Sequence, residues 1–128
     1  MLSNNMIWLK RIGLILLIIG LGTIIDYIVH HLDPRFSVPD AYFSHKIFYG
    51  TLWAFAGFLF FRKYLKTSSQ RAIVISATPA VFLQTMYLFQ GHQLVWVVFL
   101  FLFLHFFMFL LPAWYICRKF DGVFTFKH

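Results

Sequence analysis

Apolar positions in this chain fall into long, nearly unbroken runs, and polar positions collect between them. Four runs stand out, at roughly 8–32, 42–61, 72–90 and 94–117, each dominated by Leu, Ile, Val and Phe. A helix needs about 20 residues to cross a hydrocarbon core of about 30 Å. A backbone in lipid finds no partner outside itself, so such runs must be helical. The two-residue alternation of a membrane β-barrel is absent. The pattern predicts an all-α polytopic membrane protein: one domain over residues 1–128, an antiparallel bundle of four transmembrane helices.

The connections agree. Residues 33–40 hold Asp33, Pro34, Pro39 and Asp40 and cannot continue a helix. Residues 62–71 form a short basic loop, and Gln90, Gly91, His92 and Gln93 form a tight turn that makes the third and fourth spans a hairpin. Pro79 and Pro112 bend their helices.

Composition excludes other classes. Of 128 residues, 61% are hydrophobic and 12% charged, against about 45–50% and about 25% in soluble domains. So small a body cannot bury that much apolar surface, which rules out a soluble monomer, a disordered chain and a disulfide-rich module. The lone Cys117 has no internal disulfide partner. Beside Arg118 and Lys119 it is either a small apolar residue closing a helix or an acylation site. Lys10 and Arg11 before an apolar run imitate a signal peptide, but the run continues to Val29 and reads as an uncleaved span.

The net charge of +7 changes the picture once it is placed. The basic residues flank apolar runs, and no nucleic-acid-binding motif accompanies them, so they orient the chain in a bilayer. One side collects Lys10, Arg11, Arg62, Lys63, Lys66, Arg71, Arg118, Lys119 and Lys127; the other collects only Arg35 and Lys46. Both termini are expected to be cytoplasmic, in the cell (plasma) membrane. The expected partners are the lipid bilayer and either further copies of the chain or another membrane protein.

Small residues mark where helices approach. Gly50, Ala54 and Gly57 share one face of the second span, and Ala72, Ser76 and Ala80 share one face of the third, leading to Gln84. Gly13 and Gly20 are the counterparts on the first. The Phe-rich fourth span lacks such a stripe, and much of it is expected to face lipid.

The candidate chemistry lies toward the outer side. Asp26 stands inside the first run, where an ionisable group costs about 2.5–3.5 kcal/mol at the span centre and is a functional candidate. His30 shares its helix face at i, i+4, and Asp33 follows if the helix persists. This spacing suits two ligands of one metal ion. His45 and His92 lie near span ends at similar depth. The metal set is therefore Asp26, His30, Asp33, His45 and His92, with zinc or another divalent metal as the ion. His105, near the middle of the fourth span, needs a buried partner, and Gln84, Ser76 or Thr78 qualifies. The competing account is structural: Asp26 pairs with Lys46 or hydrogen-bonds His30 or His45. Three functional readings follow: a non-enzymatic subunit, assembly or interaction protein; a metal-dependent hydrolase at the outer interface; and an oligomeric transporter or channel lined by Asp26, Gln84 and His105.

Overall fold

The computed structural model describes residues 4–36, 38–91 and 95–125. The described residues form helices without strands: α1 (Asn4–His30), α2 (Ala41–Phe60), α3 (Ser68–Gln90), α4 (Val95–Lys119) and the short α5 (Asp121–Phe124). Each long helix packs against its neighbours in the chain, and α4 closes the ring onto α1. Short connections make consecutive helices antiparallel.

Local chemistry explains the ends. α1 stops at His30, just before Asp33 and Pro34, and a single 3-10 turn at Pro34–Phe36 follows. α3 begins four residues before its apolar run. Thr67 Oγ1 accepts the Gln70 N–H at 3.2 Å while Gln70 Oε1 accepts the Thr67 N–H at 3.2 Å, a reciprocal cap that draws Arg71 into the helix. α3 ends at Gln90: the Gly91 N–H closes the last turn on the Tyr87 carbonyl, and its left-handed φ of 67° turns the chain out of the helix.

Three helices, α1, α3 and α4, are long and apolar enough to cross a membrane. α2 has 20 residues, but Ser44, His45 and Lys46 in its second turn and its tyrosines lower its hydropathy. Broad apolar faces point away from the bundle, including Leu17, Ile24, Phe48, Phe60, Phe103, Phe107 and Leu111. Exposed apolar surface on this scale suits lipid, not water.

Inside, Ile15, Ile18, Ile19, Ala54, Phe58, Ile75, Leu83 and Phe109 form one apolar core. The expected small-residue stripes are buried: Gly50, Ala54, Gly57, Ser76 and Ala80 all face neighbouring helices. The expectation for α1 needs correction. A Cβ at Gly13 or Gly20 would meet nothing, whereas one at Gly22 would lie 2.3 Å from Phe109 Cδ1. Gly22 is the close-approach glycine because it faces α4. Much of α4 faces outward, as expected, with Phe99, Leu100 and Tyr115 also exposed. Phe101, His105, Phe109 and Ala113 turn inward, and Phe103, Phe107 and Leu111 turn outward. A large side chain opposite a glycine packs as well as two small ones.

At the basic end the chain is clasped. The Arg11 guanidinium donates to the carbonyls of Val123 at 2.7 Å and Thr125 at 3.2 Å. Arg71 pairs with Asp121 and also donates to the Leu65 and Lys66 carbonyls. These contacts hold α5 against the bundle, with Phe124 fully buried beside Phe58. Cys117 is buried under the same clasp, which removes it as an accessible acylation site.

Candidate functional site

The site grows from two charges on consecutive helices. Asp26 lies about one turn before the end of α1, and Lys46 lies in the second turn of α2. Neither is exposed, and Lys46 is among the largest side chains fully enclosed by the bundle. The Lys46 ammonium donates to Asp26 Oδ2, and this ion pair joins α1 to α2. Burying two charges costs several kcal/mol each unless their remaining polar atoms are satisfied. Lys46 Nζ therefore also donates to the Tyr42 hydroxyl at 2.8 Å and stands 4.3 Å from the centre of that ring.

The other carboxylate oxygen recruits α4. Asp26 Oδ1 lies 2.9 Å from His105 Nε2 and 3.3 Å from His30 Nε2. On its far side, His105 Nδ1 faces the side-chain nitrogen of Gln84 on α3. One network thus gathers a side chain from each of the four long helices.

The network assigns the histidine tautomer. With the Gln84 amide donating to Nδ1, His105 carries its hydrogen on Nε2 and donates it to Asp26. Lys46 Nζ, 2.6 Å from Nε2, then touches the ring edge without bonding to it. If Gln84 instead presents its oxygen, which otherwise has no hydrogen-bond partner, the hydrogen moves to Nδ1 and Nε2 accepts from Lys46. Only the first arrangement keeps the His105–Asp26 hydrogen bond, because an unprotonated Nε2 would set its lone pair against the carboxylate. His30 is held by stacking on Phe101, ring centres 4.7 Å apart, and by edge contact with Tyr42.

This chain matches no known protein family, no curated protein and no solved structure. The site is therefore read from its own geometry.

Of the residues the sequence singles out, Asp26, His30, Gln84 and His105 converge. Ser76 does not serve His105; its hydroxyl donates to the Ala72 carbonyl at 2.6 Å. Asp33 stays outside the cluster because α1 has already ended. Its carboxylate instead accepts from Arg35 Nη2 at 2.8 Å and from the Arg35 backbone N–H at 2.8 Å. These hydrogen bonds hold the Asp33 carboxyl below the ordinary aspartate range and raise the Arg35 guanidinium. A lowered folded-state value favours the folded loop above the unfolded aspartate range and loses that preference as pH falls through the folded value. Arg35→Ala is expected to return Asp33 to ordinary titration, read by carboxyl carbon NMR; an unmoved titration would contradict the contact. His45 is exposed and turned toward Tyr49, away from Asp26. His92 lies outside the described residues.

Three groups can converge on a cation: Asp26, His30 and His105 each offer a ligand atom within 4.8 Å of the others. The Lys46 ammonium, however, already contacts Asp26 and His105 there. It supplies the positive charge that a divalent ion would bring, so these residues fit an internal cation better than a metal.

The sequence offers Lys46 as one possible partner of Asp26, and also as a charge at the outer face, but does not single out Tyr42 and Tyr87 as parts of this site. The available signal was simple: one acid inside the first run and one base just inside the second have no other buried partners of opposite sign.

Proposed function

We propose that this chain is a four-span integral membrane protein of the plasma membrane, with both termini cytoplasmic, acting as a non-enzymatic subunit, assembly or interaction protein. The observation that carries this reading is the closure of its polar site. Both carboxylate oxygens of Asp26 are engaged, Lys46 fills the cation position, and the charges cancel. A hydrolase needs an open coordination position or an activated nucleophile facing its substrate, and this network offers neither. Closed buried polar networks instead fix which helix faces meet.

The charge distribution supports the orientation. Of the two basic residues assigned to the outer side, Lys46 is buried in its ion pair and Arg35 is paired with Asp33. Exposed unpaired cations thus gather at the other end. α2, at about 1.5 Å per residue, is about as long as the hydrocarbon core is thick, which supports a fourth span. A membrane-impermeant thiol reagent on intact cells is expected to label Pro34→Cys and spare Lys63→Cys. The opposite labelling would reverse the orientation.

Elemental analysis of the purified chain tests the non-enzymatic reading. The expectation is no stoichiometric metal. Zinc at one equivalent, lost in both Asp26→Ala and His30→Ala, would overturn it in favour of the metal-hydrolase reading.

One observation favours a second reading, an oligomeric proton or ion pathway: Asp26, Gln84 and His105 share a continuous inward face. Against a path within one protomer stands the apolar inner half, packed with Ile15, Ile18, Phe58, Ile75 and Phe109. Proton flux into liposomes that is abolished by Asp26→Asn would establish this second reading.

A further inference from the structure

A cavity of about 400 Å³ opens between the start of α2 and the end of α3, next to the buried network. Its size is within the range of small-molecule sites, about 300–1,000 Å³. Tyr42, Tyr87, His45, Tyr49, Met86 and Gln90 contribute to its wall. Tyr42 belongs to both the cavity and the network, and its hydroxyl oxygen accepts from the Lys46 ammonium at 2.8 Å. A phenol oxygen that accepts in this way keeps its own hydrogen for donation, and the adjoining positive charge polarises that O–H. Tyr87 packs its ring 4.8 Å from that of Tyr42. It is 6% exposed, and its buried hydroxyl interacts with that of Tyr42 but makes no hydrogen bond of ordinary geometry.

We infer that this cavity binds a neutral, flat, lipid-soluble carbonyl compound, a quinone-type ring, whose carbonyl oxygens accept from Tyr42 and Tyr87. Tyr42, His45, Tyr49 and Tyr87 make much of the wall aromatic, so a planar ligand gains aromatic contact, and His45 and Gln90 add donors at the mouth. The charge pattern excludes two other classes. Among the described lining residues there is no lysine or arginine to bind a phosphate headgroup and no carboxylate to bind an amine. A quaternary ammonium, which aromatic walls otherwise favour, is opposed by Lys46, whose ammonium already lies 4.3 Å from the Tyr42 ring. The inference goes beyond the function proposed above and concerns binding alone, with no electron transfer.

The test is titration of the detergent-purified full chain with decylubiquinone, followed by saturation-transfer NMR. Saturable binding is expected, weakened about five- to tenfold by Tyr87→Phe, the loss of one hydrogen bond of about 1 kcal/mol or slightly more. Tyr42→Phe and His45→Ala are expected to weaken binding as well. Phe103→Ala, on the lipid-facing side of α4, is the control and should leave it unchanged. Tyr87→Phe keeps the ring and leaves the ion pair intact, so a folding defect in Tyr42→Phe would not decide the outcome. Non-saturable partition that is equal in wild type and Tyr87→Phe would overturn the proposal. So would saturable binding of choline that displaces the quinone.

Discussion

Lys46→Met is expected to destabilise the bundle by about 3–5 kcal/mol, because it leaves the Asp26 carboxylate buried without its counter-charge. Methionine preserves most of the volume, so lost packing contributes little. The companion variant decides the cause. Asp26→Asn combined with Lys46→Met removes both charges and is expected to recover most of the loss, since a neutral amide can still accept from His105 and donate within the site. SDS titration of the micelle-embedded protein, followed by tryptophan fluorescence, measures both. If Lys46→Met matches wild type, or if the double variant is as unstable as the sum of the singles, the charge pair is not the organising contact of α1 and α2.

The second large effect is expected at Gly57. A Cβ there would lie 2.4 Å from Thr78 Oγ1 and 2.8 Å from Thr78 Cβ. Thr78 is branched at Cβ and held by its helix, so it cannot swing clear, and α2 must move off α3. Gly57→Ala is expected to cost about 1–3 kcal/mol, as overpacking of a close contact does. Gly50→Ala should cost less: its nearest neighbour is Ile19 Cγ2 at 3.0 Å, where a shift of a few tenths of an ångström relieves the contact. Gly13→Ala and Gly20→Ala meet nothing within 4 Å and are expected to be neutral or slightly stabilising, given the helix preference of alanine over glycine of about 1 kcal/mol. The same SDS titration ranks the four variants. Equal effects at Gly57 and Gly20 would show that helix propensity, not the α2–α3 approach, controls these positions.

Comparison of residues shows how far a sequence carries the site. Asp26 and His30 were legible as neighbours because the helical repeat places i and i+4 on one face. Gln84 and His105 were legible as polar side chains that needed partners in an apolar run. The channel reading already groups them with Asp26, but the direct contact of His105 with Asp26 was not legible. Counted along each helix, His105 lies about 15 Å from the start of α4 while Asp26 lies about 6 Å from the end of α1, at about 1.5 Å per residue. Those counts put them at different depths, yet the structure brings them to 2.9 Å. The helices are staggered, and stagger is set by how side chains interlock, not by the run lengths. Lys46 was legible as one of several possible partners of Asp26, but a lysine near the end of a run also looks like an interfacial charge until its neighbour's carboxylate is located. Asp33 was drawn into the candidate set by assuming that α1 continues, whereas Arg35 offered its carboxylate a nearer partner.

By itself the sequence determined that the chain is helical, that it belongs with lipid, that its charges gather at one end, and which faces of α2 and α3 are narrow enough for close approach. These follow from run length, composition and the 3.6-residue repeat, which are properties of one segment at a time. Only the tertiary structure decided that Asp26 takes Lys46 as its counter-ion, that His105 and Gln84 complete the network, and that Gly22 rather than Gly20 receives Phe109. Those outcomes depend on the stagger and rotation of one helix against another. Many nearly equal alternatives are available to four apolar rods, and the buried charge pair, which tolerates no mismatch, selects among them.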